Sequence, residues 1–170
     1  AGLSAQLMTG KYNVVISSTT AYSQMLTVID EAEQALGKDI KLISVASLGS
    51  DLQNAMTTTD SFGNLTLDAA IIKPGTWVIG GLVVPLLNQL TGYSGACVDA
   101  DGNHSEYIAG AFLVTTTEEM EQINTKDVAA DSSWIMQASN LEEMLGMYHP
   151  EITLDEILTY YGQDMNALYE

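Results

Sequence analysis

The stretch VVISSTTAYSQMLTVIDEAEQALGKDIKLISVAS, residues 14–47, decides the fold of this chain. It begins inside YNVVIS, a short, β-branched and almost continuously apolar run of the kind that forms a strand buried on both faces. Ala21, Met25, Val28, Ile29, Ala32 and Leu36 then fall at helical spacing, and Gly37 is a natural C-terminal stop. IKLISVAS, residues 40–47, repeats the strand signal. Strand, helix and strand in this order are one βαβ unit. Between the first strand and the helix stand Ser17, Ser18, Thr19 and Thr20, four small hydroxyl residues at a strand-to-helix junction.

The same alternation continues outward. SDLQNAM (50–56) reads as a helix with Ser50 as its N-cap, TTTDSFGNLT (57–66) as a polar loop, and LDAAIIK (67–73) as a third strand. GTWVIGGLVVPLLNQLTG (75–92) is long enough for a helix. In it Gly80 and Gly81 would allow close approach to a sheet, and Pro85 would impose a kink or a frayed start. Three strands alternating with three helices predict a mainly parallel sheet built from βαβ units, in a three-layer αβα, Rossmann-like lobe. Past Gly92, ACVDADGNHSEYIAGAFLV (96–114) reads as two extended pieces around an Asp-Gly-Asn turn. TTTEEMEQIN (115–124) reads as a short helix with an acidic first turn. SNLEEMLGMY and TLDEILTYYGQDMNAL are two amphipathic helices. The expected organisation is an α/β lobe over 1–125 and an acidic helical extension over 126–170 packed on it, with Met136, Met144, Met147 and Met165 as helix-packing residues.

Composition narrows the function classes. The 170 residues fit one domain and 46% hydrophobic content is enough for a core, which excludes a globally disordered chain. Acidic residues number 22 against five lysines, with no arginine, and twelve of the acids follow Thr117. Such a surface repels a phosphate backbone, so nucleic acid is excluded as a partner. The longest apolar run, Trp77 to Leu87, is broken by Gly80, Gly81 and Pro85 and is too short to span a bilayer. The first residues show no basic segment followed by an apolar one, so a targeting signal is expected to be absent or already removed. Cys97 is the sole cysteine, which leaves no internal disulfide and no cysteine-based metal site.

Catalytic and metal patterns are weak. Asp99, Asp101, Asn103 and Ser105 alternate as in a calcium loop, but the glycine stands at the fourth position and Gly110 occupies the place of the terminal glutamate. A hairpin turn accounts for them. His104 lies in that turn and His149 precedes Pro150, so neither is placed as a general base. G-x-S-x-G, P-loop and G-x-G-x-x-G motifs are lacking. No catalytic residue, metal or cofactor is expected.

The order of segments resembles the C-terminal lobe of the type I (sugar-type, LacI-like) periplasmic solute-binding proteins. VVISSTTAYSQMLTVIDEAEQALGKDIKLISVASLGSDLQNAM resembles the first two units of that lobe. LTLDAAIIKPGTWVIGGLVVPLLNQLTG resembles the third, and AFLVTTTEEMEQI the strand-to-helix segment near its end. The resemblance covers residues 12–124 in order and spacing. Sugar binders of this family often have an Asn-Asp pair after the first strand, an Asp at the second strand end and a Gln after the third. This chain has Ser18 and Thr19, then Ala46 and Ser47, then Lys73. The carboxylates that chelate vicinal sugar hydroxyls are therefore missing.

The resemblance implies a non-enzymatic, extracytoplasmic solute-binding protein of the ABC-transporter type, a lipoprotein at the cell surface or in the periplasm. Two lobes close over a small polar solute, sugar-like or anionic, and a membrane transporter or sensor reads the closed form. The chain is long enough for one lobe, so it is expected to be the C-terminal portion of a longer protein. In doubly wound sheets ligands sit outside the carboxyl ends of the strands. Ser18, Thr19, Thr20, Tyr22, Ser47, Lys73 and Trp77 are accordingly the expected ligand-binding residues, Lys73 suiting an anionic group and Tyr22 and Trp77 a flat or apolar face. Lys73→Ala and Trp77→Ala are expected to weaken binding without unfolding the domain. Alternative readings are a ligand-sensing domain of a transcriptional regulator or sensor, a stand-alone interaction domain, and a small hydrolase using Ser18 or Thr19.

Overall fold

The structure is a computed structural model that describes residues 2–18, 22–46, 49–104, 106–107, 110–125, 136–165 and 167. The chain divides into two compact units, one of residues 1–72 with 112–124, the other of residues 73–111 with 125–170. The strands of the expected lobe all fall in the first unit, whereas residues 73–111 group with the C-terminal helices.

The first unit contains α1 (Leu3–Leu7), β1 (Val14–Ser18), α2 (Tyr22–Leu36), β2 (Lys41–Ala46), α3 (Ser50–Ala55), β3 (Ala69–Ile72), β4 (Phe112–Val114) and α5 (Thr117–Ile123). The four strands form one open sheet in the order β1-β2-β3-β4. β1 pairs with β2 and β2 with β3 in parallel, as the βαβ reading requires, and β4 joins the edge antiparallel to β3. Register places Ile16 beside Ile43 and Ile43 beside Ala69, so every second residue shares a face. One face carries Val15, Leu42, Ala46, Ala70, Ile72, Phe112 and Val114, all buried, together with the buried Ser17 and Ser44. On the other face Val14, Ile16, Ile71 and Leu113 are exposed.

Helix α2 forms where the apolar spacing placed it, burying Tyr22, Ile29, Ala32 and Glu33, and it stops at Gly37, whose φ of 60° suits a residue without a Cβ. α2 touches α1 and α3. Ser50 is the first helical residue of α3 and not its cap: Gly49 holds the N-cap position, with no side-chain hydrogen bond. α5 starts in a capping box, in which Thr116 Oγ1 accepts from the Glu119 N–H (3.2 Å) and the Glu119 carboxylate accepts from the Thr116 N–H (3.1 Å). β2 and β3 are tied at their starts by Asp68. Its carboxylate accepts from the Leu42 N–H and from Lys41 Nζ, both at 2.8 Å, while Lys41 also pairs with Asp39 at 2.8 Å.

The second unit contains α4 (Gly75–Leu90), a 3-10 turn (Ser94–Ala96), α6 (Ala138–Glu143) and α7 (Leu154–Tyr161). α4 carries no charged residue, yet only one stripe, Trp77, Gly80, Val84 and Asn88, is buried, while Ile79, Leu82, Leu86 and Leu90 are exposed. Pro85 lies inside this helix, and the Cys97 thiol donates to its carbonyl at 3.4 Å. Gly80 and Gly81 do admit a close neighbour, but it is the Tyr161 side chain rather than a sheet. A Cβ at Gly80 would lie 2.9 Å from the Tyr161 hydroxyl, and one at Gly81 3.4 Å from its ring. Asn88 stitches α4 to the segment after α6: its Nδ2 donates to the Met144 carbonyl (3.0 Å) and its Oδ1 accepts from the Gly146 N–H (2.8 Å). Of the expected hairpin, the described residues show one bridge, Val98 to His104, around a turn in which Asp99 Oδ1 accepts from the Asp101 and Asn103 N–H groups at 2.9 and 2.8 Å. Met136, Met144 and Met165 are buried and Met147 is exposed. Among the described residues no helix is long and apolar enough to cross a membrane.

Candidate functional site

Parallel pairing brings the carboxyl ends of β1, β2 and β3 side by side, with Ser18 opposite Val45 and Val45 opposite Ile71. Ser18, the last residue of β1, is exposed, and Lys73, the residue after β3, is exposed as well. Thr19, Thr20 and Ser47 lie outside the described residues. Tyr22 opens α2 with its side chain buried, 2% exposed, so its ring packs inside the first unit instead of lining an open wall. Burial, and secondarily the charge of Asp51, hold its hydroxyl above the ordinary phenol range.

Trp77 is also a core residue. In the second unit its indole stacks on Tyr160 (centroids 5.1 Å apart, 16° between planes) and meets Tyr161 edge-on at 5.4 Å. Its Nε1–H donates to the Tyr161 carbonyl at 3.4 Å. Tyr107 also meets Tyr161 edge-on, with centroids 5.4 Å apart. Beside this aromatic group lies a cavity of ≈ 230 Å³ lined by Trp77, Val78, Gly81, Leu82, Tyr107 and Tyr161. Burial first, then Cys97, pushes the Tyr107 hydroxyl up to about 12, and burial raises Tyr161 further. Both phenols are therefore neutral hydrogen-bonding groups at physiological pH.

Sequence reasoning missed a second arrangement in the first unit. Glu33, Asp39 and Asp60 bring carboxylate oxygens within 4.8 Å of one another, beside a cleft of ≈ 460 Å³ whose walls include Asp30, Thr59 and Asp60. Glu33 is 1% exposed. Burial raises its pKa, the Ile40 N–H that donates to Oε1 (2.7 Å) opposes the rise, and Asp60, Asp39 and Asp30 add repulsion. The donors already have local tasks, since Asp39 pairs with Lys41 and Asp60 Oδ1 accepts from the Phe62 and Asn64 N–H groups at 2.8 and 2.9 Å. Asp60 was read only as part of a polar loop, and no sequence spacing links it to Glu33.

Nucleophile chemistry has little to build on. Among the described residues neither histidine is hydrogen-bonded to a hydroxyl or thiol; His149 Nδ1 lies 3.7 Å from Glu151 Oε1. Cys97 is buried, and burial raises its pKa, which keeps it a thiol rather than a nucleophilic thiolate. No known protein family, curated protein or solved structure matches the chain.

Proposed function

We propose that this chain is a non-enzymatic solute-binding lobe of the extracytoplasmic, ABC-transporter type, capturing a small polar solute, sugar-like or anionic. The observation that carries the reading is the set of three neighbouring parallel strands, β1, β2 and β3, whose carboxyl ends lie side by side. At such an edge backbone N–H groups and helix starts converge on a ligand. Ser18, followed in sequence by Thr19 and Thr20, and Ser47, which follows β2 in sequence, offer hydroxyls that donate or accept; Lys73 offers a charge for an anionic group. In a two-lobed receptor the solute shifts an open–closed equilibrium, and a membrane transporter or sensor reads the closed form.

Native mass spectrometry of the chain with glucose, ribose, phosphate and malonate, each at millimolar concentration, tests this reading. One solute retained at unit stoichiometry with its mass unchanged is the expected result. A solute returned as a product of different mass would replace solute capture by catalysis, and failure of all four to bind would remove the reading.

A further inference from the structure

The aromatic cavity of the second unit has features of a built site that the strand-end reading does not use. Its lining includes Trp77 and Tyr161, both fully buried, and Val78 and Leu82, which are 40% and 69% exposed. A volume of ≈ 230 Å³ exceeds the roughly 150 Å³ that holds a benzene molecule in an engineered apolar core. The hydroxyls of Tyr107 and Tyr161 are closed off from solvent and have no hydrogen-bond partner among the described residues. A buried phenol without an acceptor is a cost that natural folds avoid, and such an orphan calls for an explanation by function.

We propose that this cavity binds a small, uncharged, ring-sized molecule carrying one hydrogen-bond-accepting oxygen, with the Tyr107 hydroxyl as the donor. Among the lining residues there is no cation to pair with a carboxylate or phosphate. The aromatic and aliphatic walls supply contact area for a ring. Tyr107 lines the cavity and, unlike Tyr161, is only partly buried as a residue; binding requires its ring to turn so that the closed-off hydroxyl meets the ligand oxygen. Burial keeps that hydroxyl protonated and able to donate.

The test uses the full chain and three probes: acetophenone, its hydrocarbon counterpart ethylbenzene, and tetramethylammonium. Binding is followed by NMR titration of the Trp77 indole N–H. Acetophenone should shift that resonance and bind roughly tenfold tighter than ethylbenzene, the worth of one hydrogen bond to an otherwise orphaned group. Tyr107→Phe, and the double variant Tyr107→Phe/Tyr161→Phe, should reduce the preference to within about twofold. Their thermal midpoints should not fall, since each loses an unsatisfied hydroxyl. The proposal is overturned if acetophenone leaves the Trp77 resonance unmoved, if the preference survives in Tyr107→Phe or in the double variant, or if tetramethylammonium binds in place of acetophenone. The last result would make the group a cation-binding cage.

Discussion

Replacing Asn88 by leucine should destabilise the second unit by about 3 kcal/mol. Asn88 is fully buried on the inner stripe of α4 and makes two hydrogen bonds, to the Met144 carbonyl and from the Gly146 N–H, at 3.0 and 2.8 Å. Both partners sit in buried residues. Leucine fills nearly the same volume, so no large cavity opens, but two backbone groups lose their partner at about 1–3 kcal/mol each. The apolar gain of the new side chain offsets part of that sum, which leaves the quoted figure. With a urea m-value of about 2 kcal/mol/M, the midpoint should move down by ~1.5 M when unfolding is followed by near-UV circular dichroism of the aromatic group. Asn88→Asp sharpens the reasoning. Its carboxylate still accepts from Gly146 but cannot donate to Met144 until protonated, and burial raises its pKa. The variant should therefore be most stable at low pH and lose stability as pH rises through that raised pKa. A loss below about 0.5 kcal/mol for Asn88→Leu, the size of an ordinary surface substitution, would refute the argument that this amide holds α4 to the segment after α6.

Glu33→Gln should stabilise the chain at neutral pH and change little at pH 4. The folded state raises the Glu33 pKa, so its penalty is absent while the group is protonated and accrues as pH climbs from the ordinary carboxylate range through the raised value. Thermal melts of both proteins across pH 4–8 read the difference, and parallel curves would count against it. Thr116→Ala should cost about 1 kcal/mol in urea unfolding by removing the side-chain half of the α5 capping box. Trp77→Ala should cost about 3–5 kcal/mol, because a fully buried indole stacked on Tyr160 is lost. An unchanged melting midpoint would count against that packing role.

The strands and α2 were legible because β-branched runs and a 3.6-residue apolar spacing are local signals that survive into the fold. The acidic first turn of α5 and the stop at Gly37 were legible for the same reason, since a cap depends on neighbours within four residues. α1 was not, as five residues are too few to show a period. Tyr22 and Trp77 mark the other limit. Both begin helices next to the strand ends, and their spacing is equally consistent with a cleft wall and with a core; long-range packing, against Tyr160 and Tyr161 in the case of Trp77, decides for burial. Glu33 and Asp60 meet across a loop, and Asn88 finds its partners more than fifty residues away, beyond the reach of any periodicity. The two orphaned phenols belong to the same class, visible only once the side chains are packed.

The strand-end reading is tested most directly by isothermal titration of the solute retained in native mass spectrometry against wild type, Ser18→Ala and Lys73→Ala. Ser18 and Lys73 are exposed, so neither substitution should disturb folding. The account predicts that an anionic solute loses roughly tenfold or more in affinity with Lys73→Ala, as expected for a charge-assisted hydrogen bond, and several-fold with Ser18→Ala. Equal affinity in all three proteins would contradict the placement of the solute at the carboxyl ends of β1 to β3.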